Sequence, residues 1–567
     1  MDCRVFGKCL SRVLGFTALL SLVGIIVLPG SMYASSGVTS YKTITVNPPG
    51  TTTPYPSAVN KSNAVVGETV AANGTTQGFE LKGGKYTSII FPGSSGFTRA
   101  NGVNDSGIVV GDFYLSSDNG YHGYLLKGTK FTQYDVDLGT LSTSLFGINN
   151  AGNMAGSVGE NGQANQGFVD IGGTVTMFYA NGSSDSTYAY SINNSNEVVG
   201  DYYDSNGYPH CYSRDASGTI TLINAPNTYL TACFGVNDSG EIAGVWVDYN
   251  GQLHGFLDNA GTFTELPFYW ATSLNNTGSV VGTYVGPGSA NGVQYGYLAE
   301  PKAFASYAGV QLSGAQSTAI YGINDKKSMV GTYTDSGGAS HGFLFAKNKL
   351  TNIDDPNAQA GSTFAFGINS ASDIVGGYTN GGGVEVGFYY TNGTYTDIAP
   401  AGSQYTNPTG INDSGEIAGE WIDGSGNGHG FIYNGSSYTN LDVPGATFTG
   451  CWGINDSGHV TCQYGDQYGV INSALYDGSS FTTIDVPGAF LTAAHSINKD
   501  GSVVFLWQDT YGNNHGALLD NGAYYVFDVP ASSGSGTDAD GINDSGELVG
   551  HYTPTGSSNT EGWDGKL

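Results

Sequence analysis

Along this chain, short apolar runs are broken at regular intervals by the same polar punctuation. Residues 410–430, GINDSGEIAGEWIDGSGNGHG, show the pattern. An apolar strand ends in Gly-Ile-Asn, Asp413-Ser414-Gly415 reverses the chain, and Glu416 begins the return, which predicts a β-hairpin closed by a short Gly-containing loop. Asn412 and Asp413 can bond their own backbone two residues on, and Gly415 can take a positive φ without steric cost.

The turn asparagine recurs at Asn60, Asn104, Asn149, Asn193, Asn237, Asn275, Asn324, Asn369, Asn412, Asn455, Asn498 and Asn543. Successive copies lie 43 to 45 residues apart, except for one interval of 38 and one of 49 around the sixth. In the ninth copy, strand one ends at Ile411, strand two covers residues 416–422, strand three residues 429–433 and strand four residues 438–443, closed by Pro444-Gly445. No copy holds ten residues with a helical apolar period, so leucine-rich and helical repeats fit poorly. The reading is therefore all-β: a β-propeller built from twelve repeats of about 44 residues, four strands each. Propeller rings have roughly 4 to 8 blades, so two six-bladed rings are preferred, with a single twelve-bladed ring as the alternative.

The chain ends bear on closure. The last copy stops after Gly562-Trp563 and lacks a fourth strand, while residues 41–48 resemble an orphan fourth strand. An N-terminal strand donated to an incomplete blade would close a ring and remove exposed edges. With two rings, residues 41–48 would complete the sixth copy, and residues 350–356 or the segment before them the twelfth. The domain reading is residues 1–36 as a signal peptide, 37–300 as repeats one to six, and 301–567 as repeats seven to twelve.

An aromatic residue recurs two places after the strand-two Gly position: Phe113, Tyr202, Trp246, Tyr284, Tyr333, Tyr378, Trp421, Tyr464, Trp507 and Tyr552. Packing between blades is preferred over a ligand-stacking ladder, because large aromatic rings dominate core burial.

Composition adds destination and partners. Arg4, Lys8 and Arg12 precede the apolar run 13–28, and the small residues Ala34, Ser35 and Ser36 follow, as in a secretory signal peptide. No other run reaches spanning length. The whole chain has 18 Lys+Arg against 47 Asp+Glu; removing residues 1–36 takes three basic residues and one acidic, leaving 15 against 46, a net −31. Such a surface repels nucleic acid and anionic lipid.

Four cysteines remain after the leader: Cys211, Cys233, Cys451 and Cys462. An exported chain with an even number predicts disulfides, in three possible connectivities. If Asn455 faces Gly458 across its turn, counting back along both strands sets Cys451 opposite Cys462 on one sheet face, close enough to bridge. Cys211 and Cys233 would then pair across neighbouring repeats.

The recurring G-[IV]-N-[DN]-x-G, the V-V-G or I-A-G that follows it, and strand-three segments such as His254-Gly255-Phe256, His341-Gly342-Phe343 and His429-Gly430-Phe431 resemble the HAF-repeat family of extracellular proteins. Gly stands where the family's name has Ala. The resemblance implies export and a repeated β architecture and supplies no activity.

Candidate chemistry is sparse. His122, His210, His254, His341, His429 and His515 occupy one strand-three position in different copies. Metal ligands must converge within about 2 Å of one centre, so separate blades argue for a structural role and no metal. Acidic loops beginning at Asp204, Asp248 and Asp423 could hold calcium, although ordinary Asx-Gly turns are preferred and no EF-hand or nine-residue calcium repeat occurs. Nucleophile-elbow, zincin and phosphate-loop motifs are absent, so no catalytic residue or cofactor is assigned. Two functions stay open. The preferred one is a secreted non-catalytic scaffold binding carbohydrate or protein at a propeller face. The other is an extracellular polysaccharide hydrolase or lyase with carboxylates near a ring axis.

Overall fold

The computed structural model describes residues 39–567 apart from 137–141, 160–163, 182–184, 286–293, 510, 530–531 and 555; the leader read in residues 1–36 lies outside the described residues. Every regular element among the described residues is a β-strand, 48 in all. They form antiparallel four-stranded blades, with compact units at Tyr41–Pro301 and Lys302–Leu567. Each unit is a six-bladed propeller. Single parallel bridges, His210 to Thr231 and Ser340 to Ser362, also tie neighbouring blades.

The ninth blade shows why the repeat folds this way. Its strands are Tyr405–Ile411, Ile417–Ile422, Gly428–Tyr433 and Tyr438–Leu441. Phe431 is fully buried and sits in register opposite Gly419. A Cβ on Gly419 would lie 2.6 Å from the Phe431 ring and 2.5 Å from the Asn407 carbonyl oxygen, so the strand-two glycine makes room for the strand-three ring. Where the glycine is replaced, the ring is too: Cys462 faces Ala474, and Phe505 faces Ala517. In the eleventh blade the large and small partners have exchanged strands, which conserves local volume, whereas in the tenth the Cys451–Cys462 disulfide occupies the place.

Closure differs from the simplest sequence expectation. The strand Thr39–Val46 does not fill the truncated last copy; it adds to Gln294–Ala303 and completes the sixth blade, with Val46 buried among Val59, Val65, Val281 and Leu298. The twelfth blade takes Ser306–Val310, where Val310 pairs with Gly562 and Ser306 with Lys566. Residues 350–356 are not the donor, because Lys349–Ile353 already pairs with Ser340–Ala346 in its own seventh blade. Closure at six brings the sixth blade onto the first, where Thr272 Oγ1 donates to the Pro56 carbonyl at 2.6 Å. Each ring thus borrows its last outer strand from the segment just before its first blade.

Both disulfides are present. Cys451 and Cys462 are direct cross-strand partners with Cα atoms 3.9 Å apart. Their hairpin is one residue wider than the sequence reading assumes, because the Asn455 N–H bonds the His459 carbonyl, and a bulge between Cys451 and Ile454 absorbs the difference. Cys211 and Cys233 staple the fourth blade to the fifth. Cys211 occupies the Gly position of the His-Gly-Phe segment. At Gly430, the same place in the ninth blade, a Cβ would meet the next blade's Cys451 Sγ at 2.4 Å.

Candidate functional site

The turn asparagines do two jobs. Each side-chain oxygen caps its own turn: Asn60 Oδ1, for example, accepts from the N–H groups of Ser62 and Ala64, both at 3.0 Å. The side-chain amide then leaves the blade. In the second propeller Asn324 donates to the Asn369 carbonyl (2.9 Å), Asn369 to Asn412 (3.3 Å), Asn412 to Asn455 (3.1 Å), Asn455 to Asn498 (3.0 Å), Asn498 to Asn543 (3.3 Å) and Asn543 back to Asn324 (3.2 Å). The links make a closed circle. In the first propeller the circle runs from Asn60 through Asn104, Asn149 and Asn193 to Asn237, and Asn275 returns to Asn60 at 2.8 Å. Asn237 turns its amide to Glu241 instead.

The residue after the asparagine forms a second circle, which corrects the reading of Asp413 as a cap of its own turn. Asp413 Oδ1 accepts the N–H of Ser370 from the previous blade at 2.7 Å, and the Asp413 N–H in turn donates to Asp456 Oδ1 at 2.8 Å. The asparagine has already capped the turn, so the aspartate is free to reach sideways. Asp105, Asn150, Asn194, Asp238, Asn276, Asp544 and Asp325 accept in the same way. Lys61, Ser370 and Lys499 carry no carboxylate or amide oxygen and interrupt the circle.

Three residues before each asparagine, the innermost strand carries a β-bulge. In the third blade the register steps from Leu145 to Gly147, which leaves Phe146 unpaired, and equivalent steps release Tyr190, Phe234 and Thr272 in the blades that follow. Bulges re-aim a side chain, and here they aim it at the ring axis. A cavity of ≈ 90 Å³ in the first propeller is lined from all six blades, including Ser57, Asn101, Phe146, Tyr190 and Phe234. The second propeller holds one of ≈ 100 Å³ lined by Tyr321, Phe366, Thr409, Trp452, His495 and Asp540. The sequence reading missed this position. Its signal was there, since one place in an otherwise regular strand changes chemical type from copy to copy.

Ionisable groups are buried within the blades of both propellers. In the first propeller Arg99 donates from Nε (2.9 Å) and Nη2 (2.5 Å) to Asp112, which also accepts from Asn101 (3.0 Å) and Ser144 (2.9 Å). Burial raises the Glu68 carboxyl, against the lowering effect of Arg99. Asp201 is wholly buried; desolvation pushes it up to about 8 even though Oδ1 accepts the Cys233 N–H at 3.0 Å, and Oδ2 has no partner.

In the second propeller His551 bonds Asp540 through Nδ1 (2.7 Å) and Asp538 through Nε2 (3.1 Å), while His495 Nδ1 lies 3.2 Å from Asp540. Burial works against both charged forms. The ion pairs prevail, so His551 is held well above the usual imidazole range and Asp540 down to about 2. On the eighth and ninth blades Glu385 and Glu420 are both raised by burial, Glu420 further by Glu385, and Tyr405 donates to Glu420 at 3.0 Å.

The repeated strand-three histidines stand apart from one another, one to a blade. His429 lies between Asp442 at Nδ1 (2.9 Å) and Asp423 at Nε2 (3.6 Å), His341 between Asp354 and Asp335, His515 between Asp528 and Asp509, His122 between Asp135 and Asp118, and His254 between Glu265 and Asp248. His210 meets Asp204 at 3.4 Å. Burial opposes protonation of His515, yet Asp528 and Asp509 lift it to about 10. Six of the recurring strand-two aromatics pair with these histidines across the strands, from 4.4 Å for Trp507–His515 to 5.5 Å for Trp246–His254, and Trp421 also packs against the cluster that holds Val375 and Ile398 of the preceding blade.

The acidic loops are Asx turns. Asp204, Asp248 and Asp423 each accept two backbone N–H groups of their own loop at 2.8–3.0 Å through Oδ1, and Oδ2 faces the histidine. Among the described residues no group of three or more His, Cys, Asp and Glu is placed to hold a metal.

That end of each propeller also carries the exposed rings. In the first, Tyr121, Tyr208, Tyr229 and Tyr249 are 39%, 43%, 54% and 76% exposed, and in the second Tyr468 and Phe490 are 76% and 44% exposed. All six lie in or beside the turns between strands two and three, or in the connections entering strand one. Among the described residues, no exposed large aromatic side chain lies at the asparagine end.

No family profile matches the chain, and no curated protein matches it. Among solved structures it is similar to TolB from Acinetobacter baumannii (TM-score 0.30, 11% identity, 45% of this chain and 66% of that one). It is similar also to the SapL1 lectin in complex with alpha methyl fucoside (0.32, 12%, 42% and 90%) and to the β-propeller domain of the Trilobed protease from Pyrococcus furiosus (0.26, 10%, 59% and 96%).

Proposed function

We propose that this protein is a secreted, non-catalytic scaffold that binds carbohydrate on the propeller face formed by the turns between strands two and three. The observation that carries the reading is the gathering of exposed tyrosine rings at that end, beside loops rich in Asp and Asn. A flat ring offers an apolar platform to the C–H face of a sugar, and its hydroxyl a polar tip. The neighbouring carboxylates and amides supply hydrogen bonds to sugar hydroxyls. Tyr208 of the fourth blade meets Tyr229 of the fifth with ring centroids 5.3 Å apart, while Tyr121 stands on the second blade, so the rings suit a polymer touched at more than one place, where linked weak contacts raise avidity by about 10² to 10⁴. A protein partner would call for a continuous apolar patch. Two disulfides accord with an oxidising destination, and no helix of the described residues is long and apolar enough to cross a membrane.

A second reading, an extracellular polysaccharide hydrolase or lyase, is favoured by one observation: the raised carboxyls of Glu385 and Glu420. Axial cavities of ≈ 90 and ≈ 100 Å³ weigh against it, since ligand pockets usually measure about 300–1,000 Å³. A glycan array probed with the purified protein, with reducing-sugar release measured alongside, decides between them. Retained binding that is lost in a Tyr208→Ala/Tyr229→Ala/Tyr249→Ala variant supports the scaffold. Sugar release abolished by Glu420→Gln would replace it with the enzyme.

A further inference from the structure

We propose that the axial cavity of the second propeller is a binding site for a small alkylated ammonium group, independent of the carbohydrate face. Six bulge positions line it, and three of them are aromatic: Tyr321, Phe366 and Trp452. Their rings are half-buried, with the Tyr321 and Phe366 centroids 5.3 Å apart and the Trp452 centroid 5.0 Å from that of His495. Aromatic rings that line one small space attract a cation through their quadrupoles, and such cages take methylated ammonium groups.

The charge of the lining agrees. Asp540 is 7% exposed and is the one carboxylate in the lining, and His551 bridges it to Asp538. Burial favours the neutral acid, but His551 and His495 keep Asp540 ionised. His495 Nδ1 faces Asp540 and the Ala539 carbonyl oxygen, each at 3.2 Å. A desolvated site with an ionised carboxylate and aromatic walls favours a cation over a neutral molecule of equal shape.

Size narrows the class. A 150 Å³ cavity holds benzene, so ≈ 100 Å³ accommodates roughly four heavy atoms, the count of a trimethylammonium head. The first propeller supplies an internal contrast. Its cavity also has three aromatic rings at the bulge positions, but its lining carboxylates, Asp105 and Asp238, belong to the turns and not to the bulges.

The test titrates full-length protein with choline chloride and with its neutral isostere 3,3-dimethylbutan-1-ol, following tryptophan fluorescence and heat, against matched sodium chloride. The expected result is saturable choline binding, at least tenfold weaker binding of the isostere, and loss of the fluorescence change in Trp452→Phe. Asp540→Asn should weaken choline about tenfold while leaving the isostere unchanged. Because that substitution touches a buried ion pair, Phe366→Leu serves as the second variant, keeping bulk and removing the π face; several-fold weaker choline binding is expected. Equal binding of the two probes, choline binding unchanged in Phe366→Leu, or no choline signal beyond the salt control would overturn the proposal.

Discussion

Asn455 shows how much one side chain carries in this protein. Its Oδ1 accepts the N–H groups of Ser457 (3.1 Å) and His459 (3.0 Å), and its amide donates to the Asn498 carbonyl in the next blade. Asn455→Asp separates the two roles, because the carboxylate still caps the turn but confronts a carbonyl oxygen where a donor stood. A buried group left unsatisfied costs about 1–3 kcal/mol and more when charged, so urea unfolding should show Asn455→Asp losing about as much stability as Asn455→Ala. A mere turn cap would spare the aspartate. Asp201 makes an opposite prediction. Its folded pKa stands raised, from 3.8 to about 8, so its cost to stability is nil at low pH, grows as pH rises between those values and is constant above them. Asp201→Asn should match the native protein at pH 4 and melt higher at pH 8; an unchanged difference across that range would contradict the burial argument.

The blade is governed by the exchange of ring and glycine between its two central strands. Gly419→Ala puts a Cβ against both the Phe431 ring and the Asn407 carbonyl oxygen, and overpacking of this kind costs about 1–3 kcal/mol. The clash with backbone means that trimming the ring in Phe431→Ala should not restore stability, which thermal melts of the single and double variants would check. In the tenth and eleventh blades the glycine is already gone, and the strand-one irregularity is wider, between Cys451 and Ile454 and between Ala494 and Ile497. The element adjusts its bulge when its core changes.

Each propeller is held shut twice, by asparagine amides near the axis and by a borrowed outer strand. Removing residues 39–46 strips the sixth blade of its fourth strand and bares the edge of Gln294–Ala303. The truncated protein should melt at a lower temperature and associate through that edge, visible as concentration-dependent growth in light scattering. A monomer with native melting would show that the strand is dispensable. The 49-residue interval after Asn275 contains the junction, where the sixth copy takes its fourth strand from the N-terminal segment and the segment that follows serves the twelfth.

Much of this architecture was open to reading from the chain, because turn chemistry and strand alternation are local. Asn-Asp-Ser-Gly requires its reversal wherever it occurs, the four strands of the ninth blade fall within a residue or two of their expected places, and Cys451 and Cys462 oppose each other because they share a hairpin. What the chain alone left open depends on atoms far apart in sequence. The Asn543–Asn324 bond spans 219 residues, and nothing near either asparagine announces it. Which blade accepts residues 39–46 is settled by the blade number at which a ring of twisted sheets meets itself. The bulge residues Tyr321, Phe366, Trp452 and Asp540 acquire chemistry only when six separate strands converge on one axis, since local sequence sets which side chain is released but only closure sets what it faces.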